Sequence, residues 1–132
     1  MTRRCTVPAG VKLLVPVVNT LCYPDAVDTE VSCITDTDDF IGSFTSGTIL
    51  LEVDGVPVTA SDVRSEADFT FVADANGVFG TKPGIYRATI ARGFWGLVDP
   101  LSTGAHTVHI VASGPYFELD VTYQLDIVAP GN

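Results

Sequence analysis

The chain of 132 residues is 46% hydrophobic and carries 16 acidic against 7 basic residues, for a net charge of -9. From residue 93 onward it holds no Lys or Arg, so the cationic footprint that displaces counterions from phosphates is missing and a nucleic-acid partner is excluded. The mean hydropathy of +0.33 is high, yet no apolar run approaches the roughly 18 residues of a membrane span; the surplus points to surface hidden against copies of the chain or a partner.

Taken in chain order, the opening "MTRRCTVPAG" has two arginines but lacks the apolar stretch of a signal peptide. "KLLVPVV" follows as the first expected strand. Cys22 and Cys33 then bracket "YPDAVDTEVS", read as a polar loop. A disulfide closing that loop stabilises by about 3 kcal/mol on the chain-entropy model. Cys5 is left over as a candidate for pairing between chains. The cysteine spacings contain no C-x2-C pair, which argues against a zinc site.

Asp25, Asp28, Glu30, Asp36, Asp38 and Asp39 form an acidic run without basic residues. "DTDD" and, further on, "DANG" offer the hard oxygen ligands that suit Ca²⁺. Neither has the full spacing of a calcium loop. A solvated loop and a tight turn are the favoured readings, with no metal or cofactor expected and calcium as the minority reading.

"TILLEVDGVPV" places Asp54-Gly55 between apolar runs, the signal of a type I′ hairpin turn. Pro57 confines its strand to an edge. "ASDVRSEAD" is read as a short helical turn capped by Ser61. "DFTFVA", "YRATIA" and "FWGLVD" add strands, and "AHTVHIVA" with "YFELDVTYQLDIV" forms a final hairpin across "SGPY". In the last strand Phe117, Leu119, Val121, Tyr123, Leu125 and Ile127 alternate with polar residues, so one face meets a core and the other water. The expectation is an all-β, antiparallel β-sandwich (Ig-like or jelly-roll-like) of about seven or eight strands, spanning 1–132 as one domain.

His106 and His109 stand three apart on a strand and therefore point to opposite faces. His106 is read as a turn residue bonding backbone groups, and His109 as a candidate ligand contact. Phe94 and Trp95 are adjacent, so one faces the core and the other outward, where an aromatic ring can stack on a ligand. Phe94, Trp95 and His109 are the candidate binding residues. No nucleophile elbow, metalloprotease pair, phosphate loop or dinucleotide fingerprint occurs, so no catalytic residues are assigned.

"NGVFGTKPG", "GFWGLVDPLSTGAHTVHI" and "LDVTYQLDI", together with "CTVPAG" and "VPVVN", resemble a set of small uncharacterised bacterial exported proteins. Their pattern is a Gly-aromatic-Trp strand followed by Pro-Leu-x-x-Gly-x-His-Thr. The Gly-x-His-Thr element also resembles the last hairpin of bacterial Ig-like domains. The resemblance implies an exported β-sandwich and no particular activity. The expected function is a non-catalytic structural protein, secreted or at the cell surface, associating with itself as a homo-oligomer or filament. A carbohydrate-binding module with a glycan partner is the second reading; a small hydrolase and a viral surface component are further rivals.

Overall fold

The computed structural model describes residues 1–23, 30–44, 48–66, 68–76 and 82–131. Strand accounts for 59% of it. Sheet A has the order β1(Thr2–Pro8), β10(Glu118–Val128), β9(Gly104–Ser113), β3(Ile49–Val53) and β4(Val56–Pro57). Sheet B has the order β2(Leu13–Cys22), β8(Ile90–Val98), β5(Ser61–Ser65). A separate hairpin pairs β6(Phe69–Ala73) with β7(Gly84–Ala88), and one helix, α1(Glu30–Gly42), follows β2.

Alternation explains the two main sheets. Val108, Ile110 and Ala112 of β9 and Val121, Leu125 and Ile127 of β10 are buried in one cluster with Leu51 and Val53 of β3. Val17 and Val18 of β2 and Val98 of β8 complete that cluster from sheet B. Sheets A and B therefore bury facing sides against each other. Both Val17 and Val18 turn inward because the β2–β8 register shifts between Pro16 and Val18; such a bulge bends the strand and lets consecutive residues share a face. Leu51 fits because β8 offers no side chain at Gly96, where an added Cβ would sit 2.1 Å from Leu51 Cδ2.

The expected hairpins are present. Asp54 and Gly55 join β3 to β4 with φ of 51° and 78°, the positive values a type I′ turn requires. Pro57 lies in a short edge strand, where its missing N–H costs no ladder bond. β9 and β10 pair antiparallel from Glu118–Ser113 to Ile127–Gly104.

Four expectations are corrected. The fold is mixed rather than purely antiparallel, because β1 runs parallel to β10. Ten strands occur among the described residues rather than seven or eight. Ser61 opens strand β5 rather than capping a helix; its segment supplies a third strand along β8, whose ladder groups would otherwise be unpaired. The Cys22–Cys33 segment is not a loop throughout, since α1 begins at Glu30, and "DTDD" beyond it, read as a solvated loop, lies within the same helix.

Ser, Thr and Asp are mediocre helix formers that favour caps and turns, which hid α1. Tertiary contacts outweigh that bias. Thr37 and Ile41 are buried on one side of the helix, and Phe44 just beyond it joins the main core cluster. The Phe40, Phe44 and Phe117 rings meet edge-on at 5.4–6.4 Å between centroids. Phe44 also lies against Gly114, where an added Cβ would come within 2.8 Å of the ring. Ser43 Oγ donates to the Phe40 carbonyl at 2.7 Å and closes the helix end.

The expected Cys22–Cys33 disulfide is formed, with Cα atoms 5.5 Å apart. It ties α1 to the end of β2, and the Thr89 hydroxyl donates to Cys22 Sγ at 3.3 Å. The β6–β7 hairpin packs one face around Tyr23, with Phe71 and Tyr86 stacked at 5.6 Å. Replacing both Cys22 and Cys33 by Ala is expected to lower unfolding free energy by about 3 kcal/mol. The check is an earlier urea midpoint with the β-sheet circular dichroism spectrum retained.

Candidate functional site

The three candidate binding residues lie on three different surfaces. Phe94 turns inward and packs against the main core cluster, beside Val58 and Ala60 of the segment after β4. Trp95 faces out from sheet B. His109 faces out from sheet A, the layer on the other side of the core. The structure brings no two of these side chains together.

Trp95 stands in the middle of the outward side of sheet B, opposite Pro16 on β2 and Ser61 on β5. The next row inward along β8 is Gly93, paired with Asn19 and Val63. A Cβ on Gly93 would fall 2.5 Å from Asn19 Cβ and 2.6 Å from the Val18 carbonyl oxygen, so the bulged strand requires glycine there. Beside Trp95 lies a groove of about 230 Å³, lined by Asn19, Leu21, Val63, Ser65 and Ala91. In the other direction Leu14 and Leu97 form a cross-strand pair, 64% and 57% exposed. Val63 is 50% exposed. This outward face is therefore an apolar strip with a polar-rimmed dip at one end.

On the outward face of sheet A, His109 pairs with Glu52 of β3 and Thr122 of β10. Its Nε2 lies 2.8 Å from Asp120 Oδ1, and Nδ1 lies 3.6 Å from Glu52 Oε2. The Asp120 hydrogen bond, reinforced by Glu52, holds the imidazole pKa above its usual value. The imidazole thus stands between two carboxylates on an open sheet face. Among the described residues no three His, Cys, Asp or Glu side chains are disposed to hold a metal ion.

His106 occupies the corner where β9 begins. Its Nδ1 lies 2.7 Å from Asp54 Oδ2 and its Nε2 2.8 Å from the Ser102 carbonyl. Both partners accept, so the imidazolium, with two N–H donors, satisfies both. Asp54 also accepts the Thr107 backbone N–H at 2.8 Å, and its own N–H donates to the Thr107 carbonyl at 2.9 Å. The ring thus locks the β3–β4 turn to the start of β9; the Ser102 carbonyl is the backbone partner expected for it, and the Asp54 carboxylate is an addition.

Sequence reasoning missed an ionic cluster between α1 and sheet B. Arg92, on the inward side of β8, donates from Nε and Nη2 to Asp62 of β5 at 3.0 and 2.6 Å. Its Nη1 reaches Asp38 Oδ1 on α1 at 3.1 Å. Arg64 grips the same Asp38 with two bonds of 2.9 Å and also contacts Glu66. Arg64 and Arg92 hold the Asp38 carboxyl below the usual range, and Arg92 does the same to Asp62. Arg64 and Arg92 pair across β5 and β8, a juxtaposition of like charges that only the shared carboxylates make tolerable. No local signal pointed to it, because Arg64 and Arg92 lie on different strands and meet Asp38 only in the folded chain. Of the earlier calcium candidates, Asp38 is engaged here, Asp74 accepts the Asn76 backbone N–H at 2.9 Å, and Asp25, Asp28 and Gly77 lie outside the described residues.

The His106–Asp54 clamp has a defined pH window. The Asp54 hydrogen bond and then the Ser102 carbonyl raise His106 above 6.5, so its contribution is complete below about pH 6.5 and fades as pH rises through the raised value. The His106 hydrogen bond and then the Thr107 N–H lower Asp54 below 3.8, so that contribution is present above this value and is lost as pH falls through the depressed one. Asp54→Asn is therefore expected to reduce Tm most between about pH 4 and pH 6.5, with the gap narrowing on either side in a thermal-unfolding series.

Compared with known proteins, the chain matches no family model, no curated protein and no solved structure.

Proposed function

We propose that this chain is a non-catalytic structural subunit of a secreted or surface-associated assembly, a β-sandwich that works through contacts with other copies of itself. The observation that carries this reading is the uncovered apolar strip on sheet B. Leu14 and Leu97, directly paired and both more than half exposed, lie beside Trp95 and the exposed Val63. Burying one such leucine completely is worth about 1.5–3 kcal/mol, so an outward face built this way favours association in a chain whose net charge of -9 otherwise resists it. Two facing sheets around one core support the sandwich description, with the parallel β1 and helix α1 as its departures from a simple Ig-like or jelly-roll pattern. The disulfide fits an oxidising compartment, in keeping with the exported proteins that the sequence resembles.

Trp95 favours a second reading, a glycan-binding face. Its ring borders a groove with Asn19 and Ser65 on the rim, an arrangement that offers stacking and hydrogen bonding to one sugar ring.

Two measurements separate the readings. Under the assembly reading, light scattering across a concentration series finds an oligomer, and Leu97→Asp shifts it toward monomer by at least about tenfold in Kd, roughly 1.4 kcal/mol. Strictly monomeric protein at millimolar concentration removes that reading. Under the glycan reading, soluble oligosaccharides change tryptophan fluorescence saturably and Trp95→Ala abolishes binding measured by calorimetry; a flat titration against a broad oligosaccharide panel removes it.

A further inference from the structure

The open edge of sheet A specifies how one contact between copies is made. Among the described residues strand β1 has β10 on one side and no strand on the other, and hydrogen bonds at its two ends fix where its backbone points. The Met1 carbonyl accepts from Thr122 N–H at 2.9 Å, and Ala9 N–H donates to the Val128 carbonyl at 2.8 Å. In a parallel ladder alternate residues direct both backbone groups to one neighbour. Met1, Arg3, Cys5, Val7 and Ala9 therefore face β10, and Thr2, Arg4, Thr6 and Pro8 direct theirs to the open edge. The proline sits on that edge, where its missing N–H breaks no bond to β10. The register with β10 runs unshifted from Thr2–Thr122 to Pro8–Val128, so no bulge twists this edge away from a partner.

We propose, building on the assembly reading, that β1 pairs antiparallel with β1 of a second copy about a two-fold axis at Cys5, joining two A sheets into one continuous sheet. Overlapping the full strand Thr2–Pro8 with itself sets Cys5 opposite Cys5, Arg4 opposite Thr6 and Thr2 opposite Pro8. In this register outward-directed groups meet outward-directed groups. Arg4 and Thr6 of opposite copies exchange both their backbone hydrogen bonds, Thr2 N–H donates to the Pro8 carbonyl, and the prolines fall at the ends. A slip of one residue sets outward groups against inward ones. A slip of two shortens the overlap, and in one direction it places Arg4 against Arg4, a like-charge pair that costs stability.

Charge favours the same register. Thr6 lies beside Asp126 of β10, so Arg4 of the second copy stands in line with Thr6 and Asp126 on the outward face of the sheet. A guanidinium then approaches a carboxylate of the other copy in an otherwise acidic molecule. Beneath the edge, Cys5 and Val7 border an apolar groove of about 300 Å³ with Leu13, Val15, Tyr123 and Leu125. The two-fold axis brings the grooves of both copies together at Cys5.

Cys5 is exposed and unbonded, and in this pairing it occupies a non-hydrogen-bonded position, where opposed Cα atoms are about 4.5 Å apart. That separation lies within the range a disulfide spans. A low-molecular-weight disulfide such as oxidised glutathione closes the link by exchange. One Cys5 thiolate attacks it, forming a mixed disulfide and releasing one thiol. The Cys5 thiolate of the second copy then displaces the remaining glutathione. The two cysteine sulfurs together lose two electrons to the reagent, and their two protons leave on the two released thiols.

The test uses the full chain. Oxidised glutathione is expected to convert the non-covalent dimer to a covalent one, with Cys5–Cys5 the linked peptide by mass spectrometry. The Cys5→Ser variant is expected to remain a non-covalent dimer by light scattering. Thr6→Pro removes an outward N–H and is expected to weaken dimerisation at least tenfold with an unchanged circular dichroism spectrum. In the unmodified chain, amide exchange at Arg4 and Thr6, followed by NMR, is expected to slow at least tenfold between dilute and concentrated protein. An oligomer in which those amides stay unprotected and Cys5 fails to link overturns the β1 pairing while leaving the assembly reading intact. A chain that is monomeric at every concentration overturns both.

Discussion

A guanidinium on the inward side of a β-strand demands partners. Arg92 projects from β8 toward the interior, and the chain answers with Asp62 from the adjacent strand and Asp38 from the helix. An isolated charge in that half-buried position would lose hydration without compensation. Two carboxylates and Arg64 make the cluster self-consistent, and in doing so they bind β5, β8 and α1 into one unit. The Cys22–Cys33 bond holds the same helix to β2 from its other end. Helix α1 owes its position to this pair of tethers and to the aromatic residues around Phe44.

The position of the helix follows from an inequality between the layers. Sheet A has five strands and sheet B three, so the smaller layer cannot cover the larger. Near Gly114 and Phe117 the remainder is covered by Phe44, which lies against both. Near β1 and β10 it is left as the apolar groove beside Cys5. Sheet B presents its own uncovered apolar face around Leu14, Leu97 and Trp95. The β6–β7 hairpin adds another, where Val72 and Ile85 pair across the strands and are 76% and 78% exposed. Such uncovered apolar surfaces are unusual for a chain that works alone.

The polar features serve the frame. His106 joins two strands through Asp54 and Ser102, and His109 is held by Asp120 and Glu52, so each imidazole already has acceptor partners within the fold. The aromatic pair in "GFWG" divides as a strand must. Phe94 packs against the core cluster, partly buried, and Trp95 points to the opposite side of sheet B.

Local rules were enough for much of this. Alternation in "AHTVHIVA" and "YFELDVTYQLDIV" determined both strands and their inward faces, because side chains on a strand repeat every two residues. Asp54-Gly55 determined a turn, because few residue pairs accept positive φ twice in succession. The short separation of Cys22 and Cys33 made their pairing readable. Other features were decided only in three dimensions. "TRRCTVP" becomes a strand because β10 offers it an edge more than a hundred residues away, "SDVRS" because β8 does the same, and "EVSCITDTDDFIG" becomes a helix because disulfide, salt bridges and buried aromatics outweigh its weak propensity. The arginine cluster and the uneven layers belong to this second group. Periodicity and turn chemistry act between neighbours in the chain, whereas edge pairing, charge compensation and the area left to cover depend on which distant segments meet.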